Sequence, residues 1–185
     1  MIDFSMTRNR VRIIGGQWRS RVVRFPDAPG LRPTPDRVRE TLFNWLGQRL
    51  DGQSCLDLFA GSGALGFEAL SRGASRVVMV ERDRATAAAL RASARALDAA
   101  NLEIVESDAL RFLERPRERF DVAFIDPPYS ENLVPVVLQR LAAHLAEGAR
   151  VYAESAQAID LPPGWSVTRE DRAGAVRYAL YERAP

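Results

Sequence analysis

The segment Asp126-Pro127-Pro128-Tyr129 contains the residue types best suited to chemistry in this sequence. It follows an apolar run, residues 122–125, that predicts a buried parallel strand, so the segment lies where open α/β sheets bind ligands. The prolines keep the chain extended, which leaves the Asp126 carboxylate and the Pro127 carbonyl as hydrogen-bond acceptors. Tyr129 adds a flat face for stacking. These groups predict a site for a planar group bearing an NH2, although Asp-Pro-Pro is also an ordinary turn sequence.

A glycine-rich loop lies earlier in the chain. A strand over residues 54–59 leads into Gly61-Ser62-Gly63-Ala64-Leu65-Gly66, which satisfies the pattern G-x-G-x-x-G between a strand and a helix. Glycine permits the tight turn and lets a ligand approach the backbone. The loop alone fits a nicotinamide-dependent oxidoreductase equally well, and Glu81 at the end of the next strand suits a ribose in either case.

Further features favour S-adenosylmethionine as the ligand. The order Asp57-x-Phe59-Ala60-Gly61-x-Gly63 resembles the methyltransferase form of the loop. Asp108, after the third strand, matches the position at which that superfamily binds adenine. Acids that close four strands suit a cationic sulfonium better than a pyrophosphate, although each acid alone could cap the helix that follows it. The tetrapeptide at Asp126 likewise resembles the signature of amino-methyltransferases.

Composition is typical of a soluble globular protein of one domain with an appendage. The 185 residues are 46% hydrophobic and 27% charged. The single cysteine, Cys55, excludes an internal disulfide framework and argues against a zinc site. No apolar run reaches membrane-spanning length and the first residues lack a signal-peptide core. We therefore expect a cytoplasmic protein with no membrane partner.

The charge is unevenly distributed along the chain. Residues 1–49 hold ten arginines against four acids, a net charge of +6, whereas residues 50–185 carry −4. A basic segment on a mildly acidic body predicts a polyanionic partner, and a solvated basic arm without a partner is the alternative. Trp18 could stack on a nucleotide or pack against the domain. The candidate nucleic-acid contacts are Arg10, Arg12, Trp18, Arg19, Arg21, Arg37 and Arg39.

Local patterns predict the elements that hold these residues. Residues 10–25 place β-formers on both sides of a glycine turn, which indicates a β-hairpin. The helix that follows has Thr34 as its expected N-cap and Pro35 at its first position. Its apolar face is expected to pack inward, which leaves Arg37 and Arg39 for a partner.

From residue 54 onward, helices alternate with short apolar strands. The expected strands are residues 54–59, 76–81, 103–107, 120–126 and 150–154, followed by a closing hairpin over residues 165–170 and 176–181. This pattern predicts an α/β fold with a doubly wound, mostly parallel seven-stranded sheet and right-handed crossovers.

Four segments occur together in an order that resembles the bacterial 16S ribosomal RNA guanine-N2 methyltransferase D family. They are residues 12–19, 31–46, 56–66 and 126–129. The resemblance covers nearly the whole chain from about Arg10. It implies a Rossmann-like class I methyltransferase domain over residues 34–185, after a basic hairpin extension over residues 1–33. It also implies methylation of the exocyclic N2 of one guanine in small-subunit rRNA, within an assembled or assembling subunit.

The resemblance also implies roles for single residues. The donor would be S-adenosylmethionine, which leaves as S-adenosylhomocysteine, with no metal, and the protein is expected to be a monomer. The implied contacts are Gly61, Ser62 and Gly63 to the methionine part, Glu81 to the ribose, Asp108 to the adenine, Asp126 and Pro127 to the target amine, and Tyr129 to the face of the base.

Other functions share parts of this pattern. Methylation of DNA adenine or of a glutamine side chain uses the same tetrapeptide architecture, and Asp at its first position favours a nucleobase over glutamine. An NAD-dependent oxidoreductase and a catalytically silent RNA-binding module are the alternatives outside methyl transfer.

Overall fold

The structure is a computed structural model that describes residues 9–116, 118–128 and 131–184, so Tyr129 lies outside the described residues. Its strands are β1 Arg10–Arg12, β2 Val22–Arg24, β3 Ser54–Asp57, β4 Arg76–Glu81, β5 Leu102–Glu106, β6 Phe120–Ile125, β7 Leu145–Ser155, β8 Trp165–Ala173 and β9 Val176–Arg183. Its helices are α1 Asp36–Trp45, α2 Ala64–Ser71, α3 Arg84–Leu97, α4 Ala109–Phe112 and α5 Val134–Leu141, with a short 3-10 turn at Ala142–His144. None of the helices in these ranges is long and apolar enough to cross a membrane.

The predicted sheet is confirmed. Seven strands lie in the order β5-β4-β3-β6-β7-β9-β8, parallel from β5 to β7, with β9 and β8 added antiparallel. The order changes direction between β3 and β6. The carboxyl ends of these two central strands are therefore the topological switch point at which such folds bind ligands.

Helices cover both faces of the sheet. Side chains alternate along each strand, so Cys55, Phe124 and Tyr152 pack on one face with α1, α2 and α3. Leu56 and Val151 point to the opposite face, which α4 and α5 cover. Both faces are consequently apolar, which accounts for the near-continuous hydrophobic runs that marked the strands in the sequence.

The predicted N-terminal hairpin is also present, with Arg10 opposite Arg24. Its side chains Ile13, Trp18 and Val23 belong to the same buried cluster as α1 and the sheet. Trp18 is only 8% exposed. The prediction that Trp18 stacks on RNA is therefore wrong for this structure, because the ring is used for packing against the domain.

The prediction that Arg39 faces a partner is also wrong. Arg39 is 1% exposed, and its guanidinium donates to Glu68 at 3.2 Å and to Asp36 at 2.5 Å. Glu68, fully buried on α2, also accepts from the backbone N–H groups of Ile14 at 2.9 Å and Gly15 at 2.8 Å. Arg72 approaches the same carboxylate at 2.8 Å. This cluster joins the hairpin, α1 and α2, and helical periodicity alone could not place Arg39 within it.

Helix α1 begins one residue later than expected. Pro35 is its N-cap and Asp36 its first residue. Thr34 does not cap the helix, because its hydroxyl donates instead to Glu154 on β7 at 3.0 Å. The residue before a proline is held extended, and this directs Thr34 away from the helix and toward the sheet.

The buried cluster around Glu68 leads to a prediction on stability. Arg39→Met should lower the free energy of unfolding by about 3–5 kcal/mol, because it leaves the buried Glu68 without one of its cationic partners. Denaturant unfolding followed by circular dichroism would measure the change. Arg37→Met, on the exposed face of α1, is the matched control and should shift stability by less than about 0.5 kcal/mol. Equal effects of the two substitutions would show that the cluster contributes little.

Candidate active site

A cleft of about 900 Å³ opens at the carboxyl edge of the parallel strands. The ends of β3 to β7, the loop over residues 28–35 and the tip of the β8–β9 hairpin form its walls. The predicted site residues that line it are Asp57, Phe59, Ala60, Gly61, Ser62, Glu81, Asp108, Asp126, Pro127 and Pro128. Gly63 is buried beside the cleft and does not line it. One concave site therefore brings together nearly all of the predicted cofactor and catalytic residues.

The glycine loop has the backbone conformation that its sequence requires. Gly61 and Gly63 have φ angles of 49° and 78°, in the left-handed region. A Cβ at Gly63 would also lie 2.6 Å from the Phe67 ring and 2.7 Å from Leu90. Glycine at this position thus serves both the turn and the close packing of α2 on α3.

Glu81 closes β4 and holds the loop in place. Its two carboxylate oxygens accept from the backbone N–H groups of Gly61 at 2.9 Å and Asp83 at 2.8 Å. Each oxygen has a second lone pair, so the carboxylate retains capacity to accept from a pair of ribose hydroxyls. The position is consistent with the predicted ribose contact.

Asp108 follows β5 and caps α4. Its Oδ1 accepts from the backbone N–H groups of Leu110 at 2.9 Å and Arg111 at 3.1 Å. The capping alternative raised from the sequence is therefore correct for this acid. Asp108 is nevertheless exposed on the wall of the cleft, so capping and a contact to a bound adenine are compatible.

Asp57 is buried at the end of β3, where its Oδ2 accepts from the backbone N–H of Gly66 at 3.0 Å. Burial raises the pKa of this carboxyl to about 7; the hydrogen bond from Gly66 opposes the shift, and the charge of Glu81 adds to it. A cationic ligand in the cleft would therefore favour the charged form of Asp57. The acid joins the first turn of α2 to the central strand of the sheet.

Asp126 and Pro127 follow β6 at the neighbouring position of the same edge. Burial raises the pKa of Asp126 well above its usual value, and the negative charges of Glu154 and Asp57 raise it further. Among the described residues, none donates a hydrogen bond to the Pro127 carbonyl. Asp126 and Pro127 both line the cleft, and acceptance of an NH2-bearing group by this pair stays a prediction.

Sequence reasoning missed two residues of the cleft, Glu154 and Thr34. Glu154 closes β7, lines the cleft and is 4% exposed. It accepts from the Thr34 hydroxyl at 3.0 Å and from the Tyr152 hydroxyl at 2.8 Å. The signal was present in the sequence, because Glu154 ends a predicted strand as do the four acids that were singled out.

The predicted RNA-contacting arginines fall into two groups. Arg10, Arg12, Arg19, Arg21 and Arg37 are exposed, whereas Arg39 is buried. Arg12 makes an exposed ion pair with Asp36 at 3.4 Å, and Arg21 donates to the Ala96 carbonyl at 2.6 Å. Surface pairs of this kind are weak, so both side chains remain accessible to a polyanion.

A second and larger concavity, about 1190 Å³, lies at the opposite edge of the sheet. The hairpin turn, the end of α2 and the segments that precede β4 and β5 line it. It contains Trp18 and Arg19 but none of the predicted catalytic or cofactor residues. Size alone would favour this concavity, yet the predicted catalytic and cofactor residues line the smaller cleft.

The residues of the smaller cleft fit S-adenosylmethionine. The left-handed glycines open the loop backbone to a ligand, and the acids of β3 and β4 provide the negative charge that a sulfonium and an amino group require. No cluster of His, Cys, Asp and Glu suited to hold a metal ion is found among the described residues.

Comparisons with known proteins place this chain among methyltransferases of ribosomal RNA. The family model described as conserved hypothetical protein 95 matches residues 11–182. Ribosomal RNA small subunit methyltransferase D of Escherichia coli K12 is 46% identical over 179 residues, which cover 94% of this chain and 90% of that protein. The Haemophilus influenzae protein of the same name is 40% identical and covers 95% of both chains.

A solved structure of a putative methyltransferase from Escherichia coli is 45% identical, with a TM-score of 0.86 over 95% of this chain and 98% of that one. The expected Rossmann-like class I methyltransferase fold is confirmed.

The raised pKa of Asp57 predicts a pH-dependent stability. In the unfolded chain this carboxyl titrates near pH 4, so its contribution to stability is present below about pH 4 and is lost as the pH rises through 7. Asp57→Asn removes this titration. Between pH 4 and pH 8 the variant should gain on the order of 4 kcal/mol of unfolding free energy relative to the wild type. Denaturant unfolding at both pH values measures the difference, and parallel pH profiles of the two proteins would contradict it.

Proposed function

Because the chain belongs to the family described as conserved hypothetical protein 95, with relatives named ribosomal RNA small subunit methyltransferase D, we propose that it methylates the exocyclic N2 of a guanine in 16S rRNA. The proposed substrate is the small ribosomal subunit or its assembly intermediate. The proposed acting form is a monomer in the cytoplasm.

One observation carries the proposal. Asp126 and Pro127 lie next to each other on the wall of the cleft whose other wall is the glycine loop. An exocyclic amine has two N–H groups, and this pair provides one acceptor for each. The amine would thereby be held beside the pocket for the methyl donor, and such alignment is the main requirement of a transfer between two bound groups.

The target nitrogen is a poor nucleophile, because its lone pair is delocalised into the purine ring. S-adenosylmethionine supplies a methyl group that its positive sulfonium has already activated. Acceptance of both N–H bonds by Asp126 and Pro127 orients the nitrogen and favours its pyramidal form. The proline ring fixes the backbone on either side of the carbonyl, so this orientation needs no rearrangement during the reaction.

Asp126 also suits the removal of the proton that the amine loses. Its carboxylate stabilises the positive charge that develops on nitrogen as the N–C bond forms, and it then accepts one proton. The burial and neighbouring charges that raise its pKa make it a stronger base than an exposed aspartate. The hydrogen bonds donated by the amine favour its ionised form once the base is bound.

The base must leave its stack to enter the cleft, which suits a loop nucleotide or one that is flipped out of a helix. Tyr129, predicted from the sequence to stack on the base, remains part of this proposal. The names of the relatives support RNA rather than DNA or a glutamine side chain as the substrate.

Transfer of labelled methyl to small subunits, followed by identification of the modified nucleoside, tests the function. The wild type should yield N2-methylguanosine, and Asp126→Asn should lower kcat by about 100-fold or more while S-adenosylmethionine still binds in calorimetric titration. A different methylated nucleoside would refute the substrate assignment. An Asp126→Asn enzyme with normal turnover would refute the mechanism.

The exposed arginines near the cleft are the proposed phosphate contacts. The open end of the hairpin packs through Val11 and Phe25 on Ala64, the first residue of α2, whereas its turn is bonded to Ser71, the last residue. Arg10 therefore lies toward the cleft and Arg19 toward the other edge of the sheet. Arg10 is exposed on β1 and stands at the same end of the hairpin as Phe25, where its side chain is accessible to a polyanion.

Charge reversal tests this surface. Arg10→Glu combined with Arg37→Glu should weaken RNA binding and reduce the slope of log affinity against log salt by about one to two units, because two phosphate contacts are lost. Affinity for S-adenosylmethionine should not change. Arg95→Glu combined with Arg183→Glu is the matched control, since both arginines are exposed, one in the last turn of α3 and the other at the end of β9, and neither lines the cleft. Equal losses in the two double variants would indicate an effect of net charge alone.

A further inference from the structure

We propose that Glu154 is a third acceptor for the target base and that it selects guanine by receiving the N1–H. This inference rests on the proposed methylation of guanine N2. It assigns a specificity-determining role to a residue outside the glycine loop and the Asp-Pro-Pro segment.

Strand register places Glu154 beside Asp126. The pairing of β6 with β7 sets Phe124 against Tyr152 and Ile125 against Ala153, so the next positions on the two strands are Asp126 and Glu154. Phe124 and Tyr152 point into the same core cluster, and residues two positions later point to the same face. Both residues line the cleft.

The position of the Glu154 carboxyl is tightly defined. Its Oε1 accepts from the Thr34 hydroxyl at 3.0 Å and from the Tyr152 hydroxyl at 2.8 Å. The residue is 4% exposed, and a carboxyl this deeply placed is costly unless its hydrogen bonds are made. Two hydroxyl donors on one oxygen hold the group as a fixed acceptor at the wall of the cleft rather than as a mobile surface charge.

The chemistry of the base matches this arrangement. The edge of guanine that bears N2 presents three N–H groups, two on N2 and one on N1. Asp126, the Pro127 carbonyl and Glu154 provide three acceptors on adjacent strand ends. Adenine presents an unprotonated N1, which accepts hydrogen bonds and would oppose a carboxylate. A site built to accept a hydrogen bond from a base discriminates against an analogue that presents an acceptor at the same place, because two acceptors then face each other with no proton between them.

The test replaces the target guanine by a base that keeps the 2-amino group but lacks the N1–H. Small subunits are reconstituted with 16S rRNA that has either guanine or 2,6-diaminopurine at the modified position. Diaminopurine keeps the 2-amino group but has an unprotonated N1. The wild type should prefer guanine on the order of 10- to 100-fold in kcat/KM for N2 methylation. Glu154→Gln should narrow or invert this ratio, because the amide can donate to the N1 of diaminopurine.

Tyr178→Phe is the matched control. Tyr178 faces Glu154 from β9, yet its hydroxyl donates to Asp171 at 2.9 Å and it does not line the cleft. This variant should keep the base preference of the wild type. Thermal unfolding and calorimetric binding of S-adenosylmethionine establish that the Glu154→Gln protein is folded.

The outcomes separate the two proposals. Absence of N2-methylguanine from wild-type reactions would overturn the proposed function itself. Normal guanine methylation with equal use of diaminopurine by the wild type would overturn the role of Glu154 alone, and this arm does not depend on the folding of any variant. A folded Glu154→Gln enzyme that retains the full guanine preference would overturn it as well.

Discussion

The buried carboxylate of Glu68 is the interaction on which the arrangement of the N-terminal half depends. It accepts from two backbone N–H groups of the hairpin and from the guanidinium groups of Arg39 and Arg72. Because Glu68 is on the helix that begins at the glycine loop, the same contacts orient the hairpin, α1 and the cofactor-binding turn. A buried charge tolerates little displacement of its partners, so these three elements behave as one unit.

At the carboxyl edge of the sheet, by contrast, buried acids lie close to one another. Asp57, Asp126 and Glu154 end three adjacent strands on one face. Burial raises the pKa of Asp57 and of Asp126; the charge of Glu81 adds to the shift of Asp57, and the charges of Glu154 and Asp57 add to the shift of Asp126. A core designed only for stability would place apolar residues there. Acids at this edge have a physical reason if the ligands bring positive charge and N–H donors, because contact with a sulfonium and an amine offsets the cost of placing these carboxyl groups close together.

Sequence reasoning succeeded where the signal is local. Strand periodicity, the glycine loop and the acids at strand ends predicted the sheet and most of the cleft, because these features depend on neighbouring residues. It failed for Arg39 and Trp18, because the burial of an arginine or tryptophan depends on contacts with residues far away in the chain, such as Glu68. Thr34 was misassigned for the same reason, since its partner Glu154 is 120 positions away.

These long-range contacts also link the hairpin to the site of chemistry. The Gly15 N–H donates to Glu68, which accepts from Arg39; Arg39 in turn donates to the Thr34 carbonyl at 3.1 Å, and the Thr34 hydroxyl donates to Glu154. Every step is a hydrogen bond between groups with little freedom. The segment proposed to hold the RNA backbone and the carboxyl proposed to select the base are therefore parts of one continuous framework. Such a framework favours recognition by a preformed surface, in which the RNA rather than the enzyme rearranges.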